Sequence, residues 1–171
     1  MPESRLGRGY AATVVGLMLV LPLASILIER VANGRDDGPW IPLGRWFVFW
    51  AIGARLFSAG VRQCLRPGFT ARDIFHLESP DAEIVIRELG FANICMGLMA
   101  LISGFVPSWR AAAGLTGALY FGLAGVMHLR KRPATSNEWL ALVSDLFVLV
   151  IVGVWLVHAL AHGDLSCLSP R

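Results

Sequence analysis

Ile84-Val85-Ile86-Arg87-Glu88-Leu89-Gly90-Phe91-Ala92-Asn93 opens an apolar run that continues to Phe105. A membrane helix needs about 20 predominantly apolar residues to cross some 30 Å of hydrocarbon, and this run supplies them. Its first three turns nevertheless carry a cation, a carboxylate and an amide. A charge at the bilayer centre costs roughly 2.5–3.5 kcal/mol even on the lenient insertion scale. Such groups call for partners on other helices, and the rest of the sequence is read for them.

Composition agrees with a membrane setting. The 171 residues are 56% hydrophobic and only 16% charged, with a mean hydropathy of +0.61. Soluble domains carry about 25% charged residues. The expectation is one integral membrane domain, an all-α polytopic helix bundle with the lipid bilayer as its surroundings. The net charge of +3 is small, and no Lys/Arg run is interleaved with aromatics, which argues against a nucleic-acid partner. Cys64, Cys95 and Cys167 show neither CxxC nor metal-ligand spacing. In the topology derived below they fall at the inner face, inside the membrane and on the outer side, too far apart for an intramolecular disulfide.

Five spans are predicted, at about residues 10–28, 43–63, 84–105, 111–129 and 138–160. The first follows Arg5 and Arg8 and competes with a signal-peptide reading. Leu23-Ala24-Ser25 makes a poor cleavage site, so a retained helix is favoured. Four spans remain if it is cleaved or peripheral. Pro22 should kink this helix or end its regular part. The second is entered through Trp40, Trp46 and Trp50, is interrupted by Arg45 and Arg55, and ends in Arg62-Gln63. In the loop that follows, Thr70 to Phe75 reads as a short helix capped by Thr70. Ser79-Pro80-Asp81 opens the third span. There Gly90, Asn93, Gly97, Ala100 and Gly104 form a small-residue seam for another helix, in this chain or in a second subunit. The fourth repeats the pattern with Gly114, Ala118 and Gly122 and ends at His128. The fifth opens at Asn137-Glu138-Trp139 and contains Asp145.

Lys and Arg are retained on the cytoplasmic side. With the N-terminus inside, the inner segments hold Arg5, Arg8, Arg62, Arg66, Arg72, Arg87, Arg130, Lys131 and Arg132. The outer ones hold Arg30, Arg35, Arg110 and Arg171. The N-terminus is therefore placed in the cytoplasm and the C-terminus outside. On that topology Arg55 lies about 12 Å above Gln63, and Asp145 about 10 Å above Glu138. Arg55, Arg62, Glu88, Asn93, His128, Glu138 and Asp145 all collect in the cytoplasmic half. Arg55 is expected to pair with Asp145, Glu88 or both through its guanidinium fork, with Asn93 and His128 completing the network. Arg45 lies near the outer end, where snorkelling is the first reading.

Three functions fit such a cluster. The leading one is non-enzymatic: a dry, fully paired ion cluster in a membrane-complex subunit or homo-oligomer. The second is a small-solute or proton-coupled transporter with a water-filled pocket. The third is a quinone-linked redox partner with an apolar slot edged by His128. His158 and His162 stand four apart, as a metal face requires, but Asp164 is the one further ligand nearby. A haem held by His128 and His158 is disfavoured because the two fall at opposite ends. Phosphate-loop, HExxH and GxSxG motifs do not occur. No cofactor, metal or catalytic residue is assigned.

The residues also carry a resemblance. Arg45-Trp46-Phe47-Val48-Phe49-Trp50 with Gly53 and Arg55-Leu56-Phe57 begin it. Ala59-Gly60, Arg62-Gln63, Phe69-Thr70-Ala71 and Ile74-Phe75 continue it. Its strongest part is Arg87 to Asn93 with Gly97, and it closes with Gly122 to Gly125, His128, Glu138 and Ser144-Asp145. From about Leu21 to Val154 the chain resembles a family of bacterial integral membrane proteins known only as a domain of unknown function. In general shape it is similar to the DoxX-like small helical membrane proteins. The resemblance implies four or five helices and a bacterial inner-membrane location. Some DoxX-like proteins are associated with thiol or quinone redox chemistry, for which Cys95 would here be the one thiol within the membrane.

Overall fold

A computed structural model describes residues 7–33, 38–74 and 77–162. Arg5, Arg35, Phe75, Asp164, Cys167 and Arg171, which entered the expectations above, lie outside them. Every regular element among the described residues is helical. There are five long ones: α1 (residues 8–33), α2 (40–65), α3 (Pro80–Ile102), α4 (Arg110–Lys131) and α5 (Ser136–Ala161). Successive helices reverse direction. The Gly7 N–H donates to Asn137 Oδ1 at 3.1 Å, which joins the start of α1 to the start of α5. Trp40, at the start of α2, stacks on His158 near the end of α5 with ring centroids 4.0 Å apart.

Four of the five, α1, α3, α4 and α5, are long and apolar enough to cross a membrane. α2 is not among them, because Arg45 and Arg55 interrupt its apolar run. The exterior is the reverse of a soluble protein's. Among the described residues thirty large apolar side chains are exposed, against eighteen buried hydrophobic ones. A soluble monomer tolerates only limited apolar patches, whereas lipid solvates such a surface.

The helix with the most charge is also the most enclosed. α2 packs against each of the other four long helices. It gives Phe47, Val48, Ala51, Ile52 and Leu56 to the core, where they meet Val14 and Met18 of α1 and Val148, Val152 and Trp155 of α5. Arg45 and Arg55 are thus half-buried against protein, while Arg62 at its end is exposed.

Glycine decides how α2 meets α3. A Cβ at Gly60 would fall 2.6 Å from Gly90 O and 2.8 Å from Ile94 N. One at Gly97 would fall 2.8 Å from Phe57 Cα and 2.9 Å from Gly53 O. These are backbone atoms, so the two main chains lie nearly in contact along pairs of glycines seven residues apart on each helix. The small-residue seam of α3 therefore faces α2 of the same chain. The glycines of α4 act differently and receive side chains: Trp155 at Gly114, Ile52 at Gly117, Leu149 at Gly122 and Leu146 at Gly125.

Within the long helices two stretches are wound as π-helix, Gly16–Val20 in α1 and Phe47–Ala54 in α2, and they pack against each other. Pro22 does not end α1, which runs on to Asn33. The wide turn just before the proline, where the Leu21 N–H reaches back to Gly16 O, gives its ring room in a helix that would otherwise clash. π turns are rare and concentrate at functional sites. The one in α2 ends directly at Arg55.

The helix starts follow local chemistry. Ser79 Oγ accepts the Asp81 N–H at 3.3 Å to cap α3. Thr70 does not cap a helix as expected. Pro67, whose ring presets a first-turn φ, starts the short helix Pro67–Phe69, and Thr70 is buried in the π turn Thr70–Ile74 that follows. Arg72 closes this segment onto α3 through Glu83, at 3.5 Å, over Gly68. Arg45 has a partner of its own. Its Nη1 lies 3.0 Å from Glu29 Oε1, and Trp46 Nε1 donates to the other oxygen of the same carboxylate. The apolar run of α1 stops at Ile28, but the helix continues to Asn33, and Glu29, the residue after Ile28, meets this pair.

Candidate functional site

Asp145 is the most buried acid of the described chain, 6% exposed on the inner face of α5. A carboxylate in that setting needs a partner. His128, from the last turn of α4, supplies one at 3.7 Å between Nε2 and Oδ2. Arg55 is near enough to act on Asp145 electrostatically, yet the fork-to-carboxylate pair expected from matched depth does not form. The guanidinium instead lies over the ring of Tyr10, 5.8 Å from its centroid, and interacts with that residue's hydroxyl. α1 causes this outcome. Its first turn sits beside the start of α5 and places the Tyr10 ring where the carboxylate was expected.

Asn93 completes the cluster from α3. It is 2% exposed and donates through Nδ2 to Gln63 Oε1 at 2.8 Å, across the glycine seam. Tyr120 of α4 approaches the same amide, but Asn93 Oδ1 itself has no hydrogen-bond partner. Arg55 Nε is likewise buried and unpartnered. All five long helices thus contribute a polar group to one region: Tyr10, Arg55 with Gln63, Asn93, Tyr120 with His128, and Asp145.

Of the other three sequence-predicted residues Glu88 stands apart, while Arg62 and Glu138 act on the cluster by charge from its edge. Glu88 is exposed on the face of α3 opposite the seam. The reason is angular: Gly90 and Asn93 must face α2, and Glu88 then points away. Arg62 is exposed at the end of α2, though its charge still reaches Tyr10. Glu138 belongs to the start of α5, where its Oε2 accepts the N–H groups of Ala134 and Thr135 at 2.7 and 3.1 Å. Thr135 Oγ1 accepts the Glu138 N–H in return, which makes a capping box.

Tyr10, Tyr120 and Gln63 were not singled out from the sequence. A signal for the first two exists. The chain has two tyrosines against nine phenylalanines, and both reach the cluster. A buried Tyr hydroxyl usually has a polar partner, so each tyrosine inside an apolar span marks a polar interior.

The opposite end of the bundle carries a separate arrangement. Besides Glu29 with Arg45 and Trp46, Trp50 Nε1 donates to Ser25 Oγ at 3.0 Å. His158 stacks between Trp40 and His162, at 4.0 and 4.1 Å, which takes up the ring faces of the histidine pair. Charge divides the two ends. Arg8, Arg62, Arg66, Arg72, Arg87, Arg130, Lys131 and Arg132 lie at or toward the end that holds His128 and Glu138, while Arg30, Arg45 and Arg110 lie at or toward the other.

No curated protein and no solved structure matches the chain. A family model does, over residues 10–164, a stretch that includes every member of the polar cluster. The chain belongs to that family, DUF6790, a family of unknown function.

Proposed function

We propose that the chain is a five-span membrane protein holding a hydrated site for a small anionic solute, with its basic end in the cytoplasm. The observation that carries this reading is the pair of buried, unpartnered atoms in the cluster, Arg55 Nε and Asn93 Oδ1. Arg45 Nε is buried and unpartnered too, but the cluster brings such a donor and such an acceptor to one region. Leaving a buried polar group unpaired costs about 1–3 kcal/mol, and water or a polar ligand removes that cost. The donor is a guanidinium whose nearest acid, Asp145, is engaged with His128. An open guanidinium in a low-dielectric setting favours an anion, above all a planar one that takes two hydrogen bonds. The solute role thus replaces the fully paired cluster of a complex subunit as the preferred reading.

α2 counts as the fifth span because it runs alongside α3 for its length and turns Arg45 and Arg55 toward the other helices. Orientation rests, among the described residues, on eight basic residues at one end against three at the other. α1 is retained in this reading, since it supplies Val14 and Met18 to the core and Tyr10 to the site. An inner membrane is the location that fits. A site of this kind serves binding or transport, and the Asp145–His128 contact offers a place to hold a proton alongside the solute.

The test is ligand-induced stabilisation of the purified protein in lipid nanodiscs. Acetate, phosphate and chloride are supplied in turn as sodium salts at matched ionic strength. A solute at a hundredfold its Kd adds about 2.7 kcal/mol to stability, or several degrees in Tm for a chain of this size (about 2–4 °C per kcal/mol). At least one of the anions should raise Tm in the wild type, and Arg55→Gln should abolish that rise. Equal shifts in both proteins, or none in either, would refute the anion site.

A further inference from the structure

The outward face of α3 carries a second feature, which does not rest on the solute site. Ile84, Arg87, Glu88, Phe91, Cys95 and Leu98 are exposed on one side of the helix, opposite the glycine seam. Residues three, four and seven apart on a helix share a face, so they form one stripe. The stripe is apolar except at Arg87 and Glu88. Glu88 lies eight residues into α3 and is flanked by exposed apolar residues on both sides: Ile84 is 61% exposed and Phe91 58%. A carboxylate in such a belt faces hydrocarbon unless another protein surface covers it. A long Arg side chain can snorkel from this depth, and a Glu has less reach.

We infer that this face of α3 binds the same face of a second copy, in a parallel two-fold dimer. The charge pattern selects that partner. Both copies insert in one orientation, so the two α3 helices run parallel and equal residue numbers stand at equal depth. Arg87 and Glu88 are adjacent, about 1.5 Å apart in depth. In a two-fold arrangement each Glu88 meets the Arg87 of the other copy, and the interaction is made twice. The stripe is thus complementary to itself. It is also free to receive a partner: α3 packs chiefly on α2, meets α4 lightly and leaves this side uncovered. Cys95 stands seven residues beyond Glu88 on the same face, which brings the two copies' Cys95 thiols together near the two-fold axis.

Disulfide cross-linking in native membranes tests the dimer. Full-length protein carrying Cys64→Ser and Cys167→Ser, so that Cys95 is its single thiol, is oxidised with copper phenanthroline. Most of the chain should shift to twice its monomer mass within minutes. A control with Cys95→Ser added and Leu123→Cys, on the exposed face of α4, should cross-link at least tenfold less. Arg87→Glu alone should reduce Cys95 cross-linking several-fold, and the exchange Arg87→Glu with Glu88→Arg should restore it. Cys95 cross-linking no faster than the Leu123→Cys control overturns the proposal. So does cross-linking that is indifferent to the single charge reversal, since another contact would then hold the copies together. If the charge variants do not accumulate in the membrane, the comparison of Cys95 with Leu123→Cys decides alone.

Discussion

Gly97→Ala is expected to unfold the bundle or lower its stability by more than the roughly 1–3 kcal/mol typical of an overpacked core. The added methyl would stand 2.8 Å from Phe57 Cα and 2.9 Å from Gly53 O. Side chains can rotate away from a clash of that kind, but a helix backbone cannot. α2 and α3 would have to separate along their length, and the Asn93–Gln63 hydrogen bond that crosses the seam would break with them. Gly153→Ala is the matched control. Nothing lies within 4 Å of a Cβ at that position, so the better helix propensity of alanine should leave stability unchanged or raise it by up to about 1 kcal/mol. The same substitution at two glycines in membrane-capable helices should thus give opposite signs. Thermal unfolding in one detergent, read by loss of a monodisperse chromatographic peak, measures both. A Gly97→Ala protein as stable as wild type would show that the helices do not approach as closely as described.

The second large effect concerns Arg55 and Asp145. Arg55→Gln removes the cation and leaves Asp145 with His128 alone. Asp145→Asn removes the anion and leaves Arg55 without a fixed countercharge. Breaking a dry, tightly paired buried ion pair from one side costs about 3–5 kcal/mol. Here the two groups interact at longer range and the site is proposed to hold water, so each single change should cost less than that. The double variant should be more stable than the sum of the singles implies, with a coupling of roughly 0.5–3 kcal/mol. Strict additivity would mean that the two charges do not sense each other, and the cluster would then be only a coincidence of neighbours. A penalty at or above the dry-pair range for either single change would instead favour the structural clamp.

Much of the architecture was legible because bilayer physics leaves little choice. Apolar runs of about 20 residues announced α1, α3, α4 and α5, and the alternation of their directions followed from sequence order. The glycine spacing of α3 announced a close helix partner. It could not say which, and the glycines of α2, Gly53 and Gly60, would have answered had they been read as the matching half. The true extent of α1 was hidden by hydropathy. The helix runs past Ile28 to carry Glu29 to Arg45 and Trp46, and a polar residue continuing an apolar helix looks the same as one starting a loop. No residue pattern announced the π turns.

The cluster was legible in its members more than in its pairing. Depth along a helix can be counted from sequence, and Arg55, Asn93, His128 and Asp145 do converge. Azimuth cannot be counted without knowing which face packs. Glu88 has the right depth and the wrong direction, because its helix is turned by the glycines that must face α2. Glu138 has a local use, the capping box, and its charge acts on His128 as well. Tyr10 was counted among apolar residues, and its ring is what stands against the Arg55 guanidinium.

Water that reaches the cluster from the basic end would make a thiol at position 93 accessible from that side. Asn93→Cys is made in a background with Cys64, Cys95 and Cys167 replaced by Ser, and is exposed to a small, impermeant, charged thiol reagent from each side of sealed membranes. Arg66→Cys, at the basic end beyond α2, serves as the accessible reference. The account expects Asn93→Cys to react when the reagent is on the basic side, more slowly than Arg66→Cys, and to stay protected from the other side. Protection of Asn93→Cys from both sides, with Arg66→Cys reacting, would mean a dry cluster and would contradict it.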